Sequence, residues 1–136
     1  MTENRKKPRI LILDDDVDIL DSISTALQSA GYSVDTARNA REAIEKSEAN
    51  FYNLALVDVR LPDIEGTKLL TGMKETRPEI MLIILTGYPS LQNAVDALNN
   101  GADGYLMKPI EMEELVKVVQ THLKKQEELF RYMLED

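Results

Sequence analysis

Five short apolar runs divide the sequence at nearly regular intervals, and a segment with helical spacing follows each of them. The runs cover residues 10–13, 32–37, 54–57, 81–85 and 105–107, and the second is the weakest. Continuous apolar runs of this length are typical of strands buried on both faces. Strands that alternate with helices form a parallel sheet between two layers of helices. The sequence therefore predicts one doubly wound α/β domain with five parallel strands.

Capping residues mark the ends of several predicted helices. Asn39 followed by Glu42 three residues later is an N-terminal capping pattern, and Ser90 can cap the fourth helix. Gly31 follows a run of helical spacing and is a natural C-terminal stop. The fifth helix is predicted to begin near Met112 and to run towards the C-terminus.

The composition excludes several classes of function. Sixteen Lys and Arg against 24 Asp and Glu give a formal net charge of −8, which argues against broad binding to nucleic acid or anionic membranes. The absence of cysteine excludes disulfides and thiolate metal sites. No apolar stretch approaches the ~20 residues that span a bilayer, so we expect a cytoplasmic protein. Together with the negative net charge, this predicts that the chain binds neither nucleic acid nor membrane.

Polar residues follow four of the five strands at the point where each strand ends. They are Asp14, Asp15 and Asp16 after the first strand, Asp58 after the third, Thr86 after the fourth and Lys108 after the fifth. The carboxyl ends of parallel strands meet at one edge of the sheet, where folds of this type bind their ligands. Any one acid alone would be explained as a helix cap or turn residue. The ordered set predicts a functional site.

The charges of these residues indicate which chemistry the site performs. Asp14, Asp15 and Asp58 would repel one another if placed close together, and a hard divalent cation such as Mg²⁺ relieves that repulsion in an open site of oxygen ligands. A carboxylate beside Mg²⁺, an ammonium and a hydroxyl can attack phosphorus while these groups stabilise the phosphoryl oxygens. The predicted product is an aspartyl phosphate.

Four segments carry a resemblance to a known family. They are ILILDDD at 10–16, LVDVRLPDIEG at 56–66, LTGY at 85–88 and GADGYLMKPI at 101–110. In this order and spacing, the sequence resembles the receiver domain of two-component response regulators. The resemblance covers about residues 8–124, which we assign to the receiver domain, and residues 125–136 are predicted to form a C-terminal helical extension. It implies a flavodoxin-like sheet with strand order 2-1-3-4-5.

The resemblance also implies a role for each site residue. Asp58 would be the phosphoacceptor, Asp14 and Asp15 the acidic pair that holds Mg²⁺, and the backbone carbonyl of Arg60 a further metal ligand. Thr86 and Lys108 would contact the phosphoryl group, Tyr105 would change rotamer as an aromatic switch, and the bond between Lys108 and Pro109 would be cis.

Function and partners follow from the same resemblance. The phosphoryl group would come from a sensor histidine kinase or a phosphotransfer protein, and its arrival would remodel the face formed by the fourth helix, fifth strand and fifth helix. This face would control a partner or an output domain, and it or the C-terminal helix would form a homodimer. The chain would be a signalling phosphoacceptor that catalyses its own phosphotransfer and dephosphorylation, rather than a metabolic enzyme.

Two bulky residues flank the predicted site. Arg60 lies two residues after the phosphoacceptor, and Tyr88 lies two residues after the threonine. We hypothesise that both obstruct the water that attacks the aspartyl phosphate and thereby slow self-dephosphorylation.

Alternatives remain open at three positions. Asp16 reads best as the N-cap of the first helix, although a shift of one residue would make Asp15 and Asp16 the metal pair. His122, the only histidine, reads as a packed or solvated residue of the last helix and not as a phosphorelay site. ILILDDDVDI also resembles the first motif of haloacid-dehalogenase-type phosphatases, with Asp14 as nucleophile and Asp16 as general acid.

The last helix is longer than a minimal receiver requires. Apolar residues with one polar interruption recur at three- and four-residue steps, which is the spacing of a short coiled-coil seam. They are Val116, Val119, Leu123, Gln126, Phe130 and Met133. Beyond Leu123 we expect no sheet for the helix to cover. The segment is then either a frayed, solvated tail or a dimer stalk that leads to an output domain.

Overall fold

A computed structural model of the protein describes residues 7–58, 60, 66–87 and 90–135. The strands are β1 (Arg9–Leu13), β2 (Ser33–Ala37), β3 (Leu54–Val57), β4 (Met81–Thr86) and β5 (Gly104–Met107). The helices are α1 (Val17–Ser29), α2 (Ala40–Ala49), α3 (Gly66–Thr76), α4 (Leu91–Asn99) and α5 (Met112–Glu135). Within these ranges, no helix has both the length and the apolar character needed to cross a membrane.

The five strands form one sheet in the order β2-β1-β3-β4-β5, and every neighbouring pair is parallel. This confirms the predicted fold. The register places Leu13 of β1 beside Val57 of β3, so the two strands end at the same level. The residues that follow them, Asp14 and Asp58, are therefore neighbours at the carboxyl edge of the sheet.

Each face of the sheet has its own apolar core. Successive side chains of a strand point to opposite faces, so Leu11 and Leu13 pack in the cluster that includes residues of α2, α3 and α4. Ile10 and Ile12 pack on the other face with residues of α1 and α5. Because both faces are covered, continuous apolar runs are required in the central strands.

The predicted helix boundaries are largely confirmed. The side chain of Asn39 accepts a hydrogen bond from the amide of Glu42 at 2.9 Å, and Ser90 accepts from the amide of Asn93 at 3.0 Å. Gly31 and Gly101 follow α1 and α4 with φ of 101° and 107°, a conformation that favours glycine.

The C-terminal half of α5 contacts the protein body through Gln126. Gln126 is only 4% exposed, and its side-chain amide donates to the backbone carbonyls of Asn53 at 2.9 Å and Glu79 at 2.7 Å. The loops that enter β3 and β4, and not the strands themselves, reach Gln126, so the buried part of the helix extends past Leu123 although no sheet lies beneath it there. The helix continues to Glu135, so this segment is not a frayed tail.

A polar cluster supports the outer strand β2. The Tyr52 hydroxyl donates to the Asp35 carboxylate at 2.6 Å, and the Arg9 guanidinium lies 2.9 Å from the same oxygen. Burial raises the pKa of Asp35, but the hydrogen bonds from Tyr52 and Arg9 outweigh it, so its pKa lies below the ordinary value. The cluster links the start of β1, β2 and the residues before β3.

Tyr52→Phe is expected to lower the free energy of unfolding by about 1 kcal/mol, since it removes a hydrogen bond from the buried Tyr52 hydroxyl to a charged but partly exposed carboxylate. Tyr105→Phe is the matched control, because the buried Tyr105 hydroxyl has no hydrogen-bond partner among the described residues, and we expect no loss there. Because folding lowers the pKa of Asp35, the destabilisation by Tyr52→Phe should be complete at pH values above 3.8, the ordinary pKa of Asp35. It should disappear as the pH falls through the pKa that Asp35 has in the folded protein. Urea unfolding at several pH values measures both; equal losses in the two variants would contradict the assignment.

Candidate functional site

Three carboxylates meet at the carboxyl ends of β1 and β3. Oxygen atoms of Asp14, Asp15 and Asp58 all lie within 4.8 Å of one another. Asp14 and Asp58 are 3% and 7% exposed, whereas Asp15 is exposed to solvent. The structure therefore brings the three predicted carboxylates together, with Asp14 and Asp58 buried and Asp15 at the opening of the site.

Lys108 joins the two buried acids. Its ammonium Nζ lies 2.6 Å from Oδ2 of Asp14 and 3.2 Å from Oδ2 of Asp58. Lys108 follows β5, two strands away from β3, and its amide donates to the Thr86 carbonyl at 2.8 Å. One cation thus bridges the ends of β1 and β3 from the far side of β4. We call Asp14, Asp15, Asp58 and Lys108 the acidic pocket.

Backbone amides fix the other oxygens of the buried pair. Oδ1 of Asp14 accepts from the amide of Asp16 at 2.9 Å, and Oδ1 of Asp58 accepts from the amide of Arg60 at 3.0 Å. Both oxygens of each buried carboxylate therefore have a donor. These amides were not predicted, because every residue type except proline carries a backbone N–H. The one available signal was Asp16, a helix-capping residue two positions after Asp14, whose amide meets the Asp14 carboxylate.

Asp16 is the N-cap of α1. Its Oδ1 accepts from the amides of Asp18 at 2.9 Å and Ile19 at 3.3 Å. Asp14, and not Asp16, belongs to the group of carboxylates that could share a cation. The geometry therefore favours Asp14 and Asp15 over the shifted pair Asp15 and Asp16.

Thr86, Tyr105 and Pro109 lie on β4, on β5 and directly after Lys108, respectively. Thr86 is the last residue of β4 and is completely buried. Tyr105 on β5 is partly buried and packs against the core on the α2, α3 and α4 side. The peptide bond between Lys108 and Pro109 is cis, as the resemblance implies. His122 lies far from this edge, beside Asp103 and Gly104 at the amino end of β5.

Tyr88, which was hypothesised to obstruct the attacking water, lies outside the described residues. An apolar groove of about 480 Å³ beside Lys108 was not predicted. It lies between α1 and the residues that lead into α5, and Ile19, Pro109 and Ile110 are among its walls. Its residues come from distant parts of the chain, so no local pattern indicates it.

Burial and charge shift the pKa values in the pocket. Burial raises the pKa of Asp14, and the hydrogen bond from Lys108 offsets only part of that effect. Burial lowers the pKa of Lys108, but its hydrogen bonds and charge interactions with Asp14 and Asp58 outweigh this, so that its pKa is raised. The balance differs between the two residues because the Lys108 ammonium contacts two carboxylates, whereas Asp14 shares that one ammonium with Asp58.

Asp14→Asn is expected to stabilise the metal-free protein by about 1 kcal/mol at neutral pH, since the buried charge costs more than its shared ion pair returns. Folding raises the pKa of Asp14. The ionisation of Asp14 therefore lowers the free energy of unfolding as the pH rises from the ordinary pKa of an aspartate through the pKa that Asp14 has in the folded protein. The gain should therefore be present at neutral pH and vanish in acid. Chemical unfolding with a chelator present measures it, and Asp21→Asn, an exposed acid of α1, is the control. A destabilised Asp14→Asn protein would contradict the prediction.

The fold and the pocket together define a class of protein. A doubly wound parallel sheet carries paired buried acids and a bridging lysine at the carboxyl ends of its strands, with a buried threonine on the strand between them. This is the arrangement of a domain that accepts a phosphoryl group on a carboxylate, and it contrasts with a flavodoxin, which holds a phosphate in a loop.

Comparisons with known proteins identify the family within this class. The model of the response regulator receiver domain matches residues 10–120, and this chain belongs to that family. It is therefore a receiver domain of the two-component response regulators, which act in phosphorylation-dependent signalling. The findings do not support the haloacid-dehalogenase-type alternative.

Individual relatives agree with this assignment. The transcriptional regulatory protein ZraR of Escherichia coli K12 is 34% identical over 114 residues, or 84% of this chain, and the chain spans only 26% of ZraR. A CheY-like receiver domain protein of Methanospirillum hungatei has 46% identity and a TM-score of 0.88, with 90% of this chain and 98% of that chain covered.

Two further structures were solved in modified states. The beryllofluoride-activated NtrC4 receiver domain dimer is 33% identical with a TM-score of 0.83, covering 87% of this chain and 98% of that one. A response regulator from Burkholderia pseudomallei contains a phosphorylated aspartic acid and a calcium ion; it is 30% identical with a TM-score of 0.80, covering 96% of this chain and 75% of that one.

Proposed function

We propose that Asp58 accepts a phosphoryl group from a phosphohistidine on a sensor histidine kinase or a phosphotransfer protein. The observation that carries this proposal is the single ammonium of Lys108 held between the carboxylates of Asp14 and Asp58. A buried carboxylate with a cation and backbone amides around it is prepared for the arrival of negative charge. The cytoplasmic location expected from the sequence belongs to the same proposal.

The transfer exchanges one bond to phosphorus for another. A carboxylate oxygen of Asp58 attacks the phosphorus atom, the new O–P bond forms as the N–P bond breaks, and the electron pair stays on the departing imidazole nitrogen, which takes up a proton. Lys108 pairs with the developing charge on the phosphoryl oxygens, and the Thr86 hydroxyl donates to one of them. Arg60 contributes the amide that orients Asp58.

The residues present fit a magnesium site. Asp14, Asp15 and Asp58 offer carboxylate oxygens within 4.8 Å of one another, and oxygen ligands beside open solvent suit Mg²⁺. These three residues and the backbone carbonyl of Arg60 would hold the ion. When bound, Mg²⁺ would neutralise charge on the pocket and on the phosphoryl oxygens.

The groove between α1 and the start of α5 offers a place for the donor. Ile19, Pro109 and Ile110 give it apolar walls, and Lys108 lines it beside the acidic pocket. A helix that carries the phosphohistidine could bury apolar side chains there and bring its imidazole near Asp58. A small acyl phosphate would need no such contact.

Phosphorylation is proposed to change the α4-β5-α5 face. Thr86 would move towards the phosphoryl group, and Tyr105, on the strand beside it, would change its packing in the space released. Several apolar side chains on this face are exposed, among them Leu91, Leu98 and Met107. A partner, an output domain or a second copy could bind there.

The direct test is incubation of the protein with acetyl phosphate and Mg²⁺, followed by mass measurement and peptide mapping. We expect one phosphoryl group on Asp58, dependent on Mg²⁺ and labile in base. A phosphoryl group on another residue, or none, would overturn the proposal. Sustained hydrolysis of p-nitrophenyl phosphate that requires Asp14 would also overturn it, in favour of a phosphatase.

Arg60 is expected to lengthen the life of the aspartyl phosphate. Its amide contacts Asp58, so its long side chain begins next to the site of hydrolysis. Arg60→Ala should accelerate dephosphorylation by up to about tenfold, which corresponds to a decrease of up to about 1.4 kcal/mol in the activation free energy. Phosphate release after removal of the donor measures the rate. Arg41→Ala, at an exposed position on α2, should hydrolyse at the wild-type rate; equal rates for all three proteins would refute the hypothesis.

A further inference from the structure

The last turns of α5 carry an apolar surface that the protein's own sheet does not cover. Met133 and Leu134 are 68% and 86% exposed, and Leu129 is 53% exposed. By helical spacing, Met133 and Leu134 continue the face of α5 that buries Val119 and Gln126 higher up. The inward face of the helix therefore extends past the end of the protein body. We call residues 129–134 the α5 tip.

A groove opens beside this helix at the amino end of the sheet. It measures about 640 Å³, and the α5 tip of the same copy forms one of its walls through Leu129, Phe130 and Met133. Phe51, Pro78 and Met81 line it on the side of the protein body. Phe51 is 40% exposed. We call this the base groove. It lies at the opposite end of the sheet from the acidic pocket.

We propose that two copies of this chain pair their α5 tips in antiparallel orientation, each tip covering the base groove of the other copy. Phe130 lies midway between Gln126 and Leu134, so a two-fold axis beside Phe130 places Leu134 of one copy opposite Gln126 of the other. The span from Gln126 to Leu134 is about 12 Å of helix. Such an isologous contact is closed and self-complementary.

The base groove favours this orientation over a parallel stalk. In a parallel pair, both tips point away from both protein bodies, and Phe51 remains exposed in each copy. In the antiparallel pair, each tip returns towards the partner's body and buries the groove. Opposed helix dipoles favour the antiparallel pair as well. The part of the predicted coiled-coil seam that precedes Phe130 cannot pair with a second helix, because Val119, Leu123 and Gln126 are buried in their own protein.

The contact area predicts a weak dimer. If each exposed apolar side chain of the tip contributes on the order of 100 Å², two tips and two grooves bury roughly 1,000 Å² in total, near the lower limit for specific interfaces. We therefore expect dissociation constants of about 10–100 µM. Dimerisation does not require the phosphoryl group, since the tip and the base groove are remote from the acidic pocket.

Sedimentation of the full chain without any phosphoryl donor tests the pairing. The wild type should change from monomer to dimer over this concentration range, and Leu134→Glu should weaken the dimer at least tenfold. Ile44→Glu is the matched control, since Ile44 is an exposed apolar residue of α2 (40% exposed) and lies outside both the proposed contact and the α4-β5-α5 face. A wild type that stays monomeric at several hundred micromolar, or a dimer lost in Ile44→Glu and kept in Leu134→Glu, would overturn the proposal.

Cross-linking tests the orientation, and because the sequence contains no cysteine, only the introduced thiols can react. A Phe51→Cys protein mixed with a Leu134→Cys protein should give a mixed dimer with a short bis-maleimide. Leu134→Cys alone should give little product, because the antiparallel pair holds the two tips apart at this residue. Efficient cross-linking of Leu134→Cys to itself would overturn the orientation in favour of a parallel stalk. The proposed contact lies outside the α4-β5-α5 face, and neither cross-linking result bears on the phosphorylation of Asp58.

Discussion

Asp58→Asn should take up no phosphoryl group from acetyl phosphate under conditions that phosphorylate the wild type. The asparagine amide keeps the shape of the side chain, and its oxygen can still accept the hydrogen bond that the Arg60 amide gives to Asp58 at 3.0 Å. It has no anionic oxygen to attack phosphorus, so the rate should fall by at least about 1,000-fold.

The measurement is the phosphorylated fraction by mass spectrometry at a series of times. Asp16→Asn is the matched control, because Asp16 caps α1 outside the group of clustered carboxylates and asparagine caps a helix equally well. It should be phosphorylated at close to the wild-type rate. An Asp58→Asn protein that is phosphorylated as fast as the wild type would show that the acceptor lies elsewhere.

Lys108→Met should change phosphorylation and Mg²⁺ affinity in opposite directions. The ammonium lies 2.6 Å from Asp14 and 3.2 Å from Asp58, so it competes with a cation for Asp14 while it prepares Asp58 for a phosphoryl group. Without it, Mg²⁺ should bind about tenfold more tightly. Phosphorylation should slow about 100-fold or more, which is the usual cost of losing one charge-stabilising donor.

Calorimetric titration with Mg²⁺ and the acetyl phosphate assay measure the two effects separately. Lys108→Arg keeps the charge and should leave Mg²⁺ affinity close to that of the wild type, although its planar head will not reproduce both contacts. Weaker Mg²⁺ binding in Lys108→Met would show that the lysine supports the metal site and does not compete with it.

The sequence predicted the sheet and the pocket because both depend on where strands end. Apolar runs fixed the five strands, and parallel strands that end at one level necessarily bring the next residues together. Asp14 and Asp58 are neighbours for that reason, since Leu13 and Val57 are in register. Lys108 was predicted to contact the phosphoryl group, and the structure also gives its ammonium contacts with Asp58 and, at a shorter distance, with Asp14.

Contacts between distant segments were beyond sequence reasoning. Gln126 looked like a polar interruption in an apolar seam, because no local pattern shows that the carbonyls of Asn53 and Glu79 would meet it. The buried hydroxyl of Tyr105 was equally unpredictable, since its surroundings come from other helices. Local periodicity tells which face of a helix is buried, and the loops at the end of the sheet decide how far along the helix that burial extends.

The attachment of Gln126 divides α5 into a held part and a projecting part. The helix begins at Met112, is buried at Val119 and Gln126, and continues nine residues beyond Gln126 to Glu135. Because one continuous helix joins the two parts, a shift of the held part would carry the last turns with it as a rigid element. A displacement that begins beside the distant carboxylates would thereby be transmitted along the whole length of the molecule.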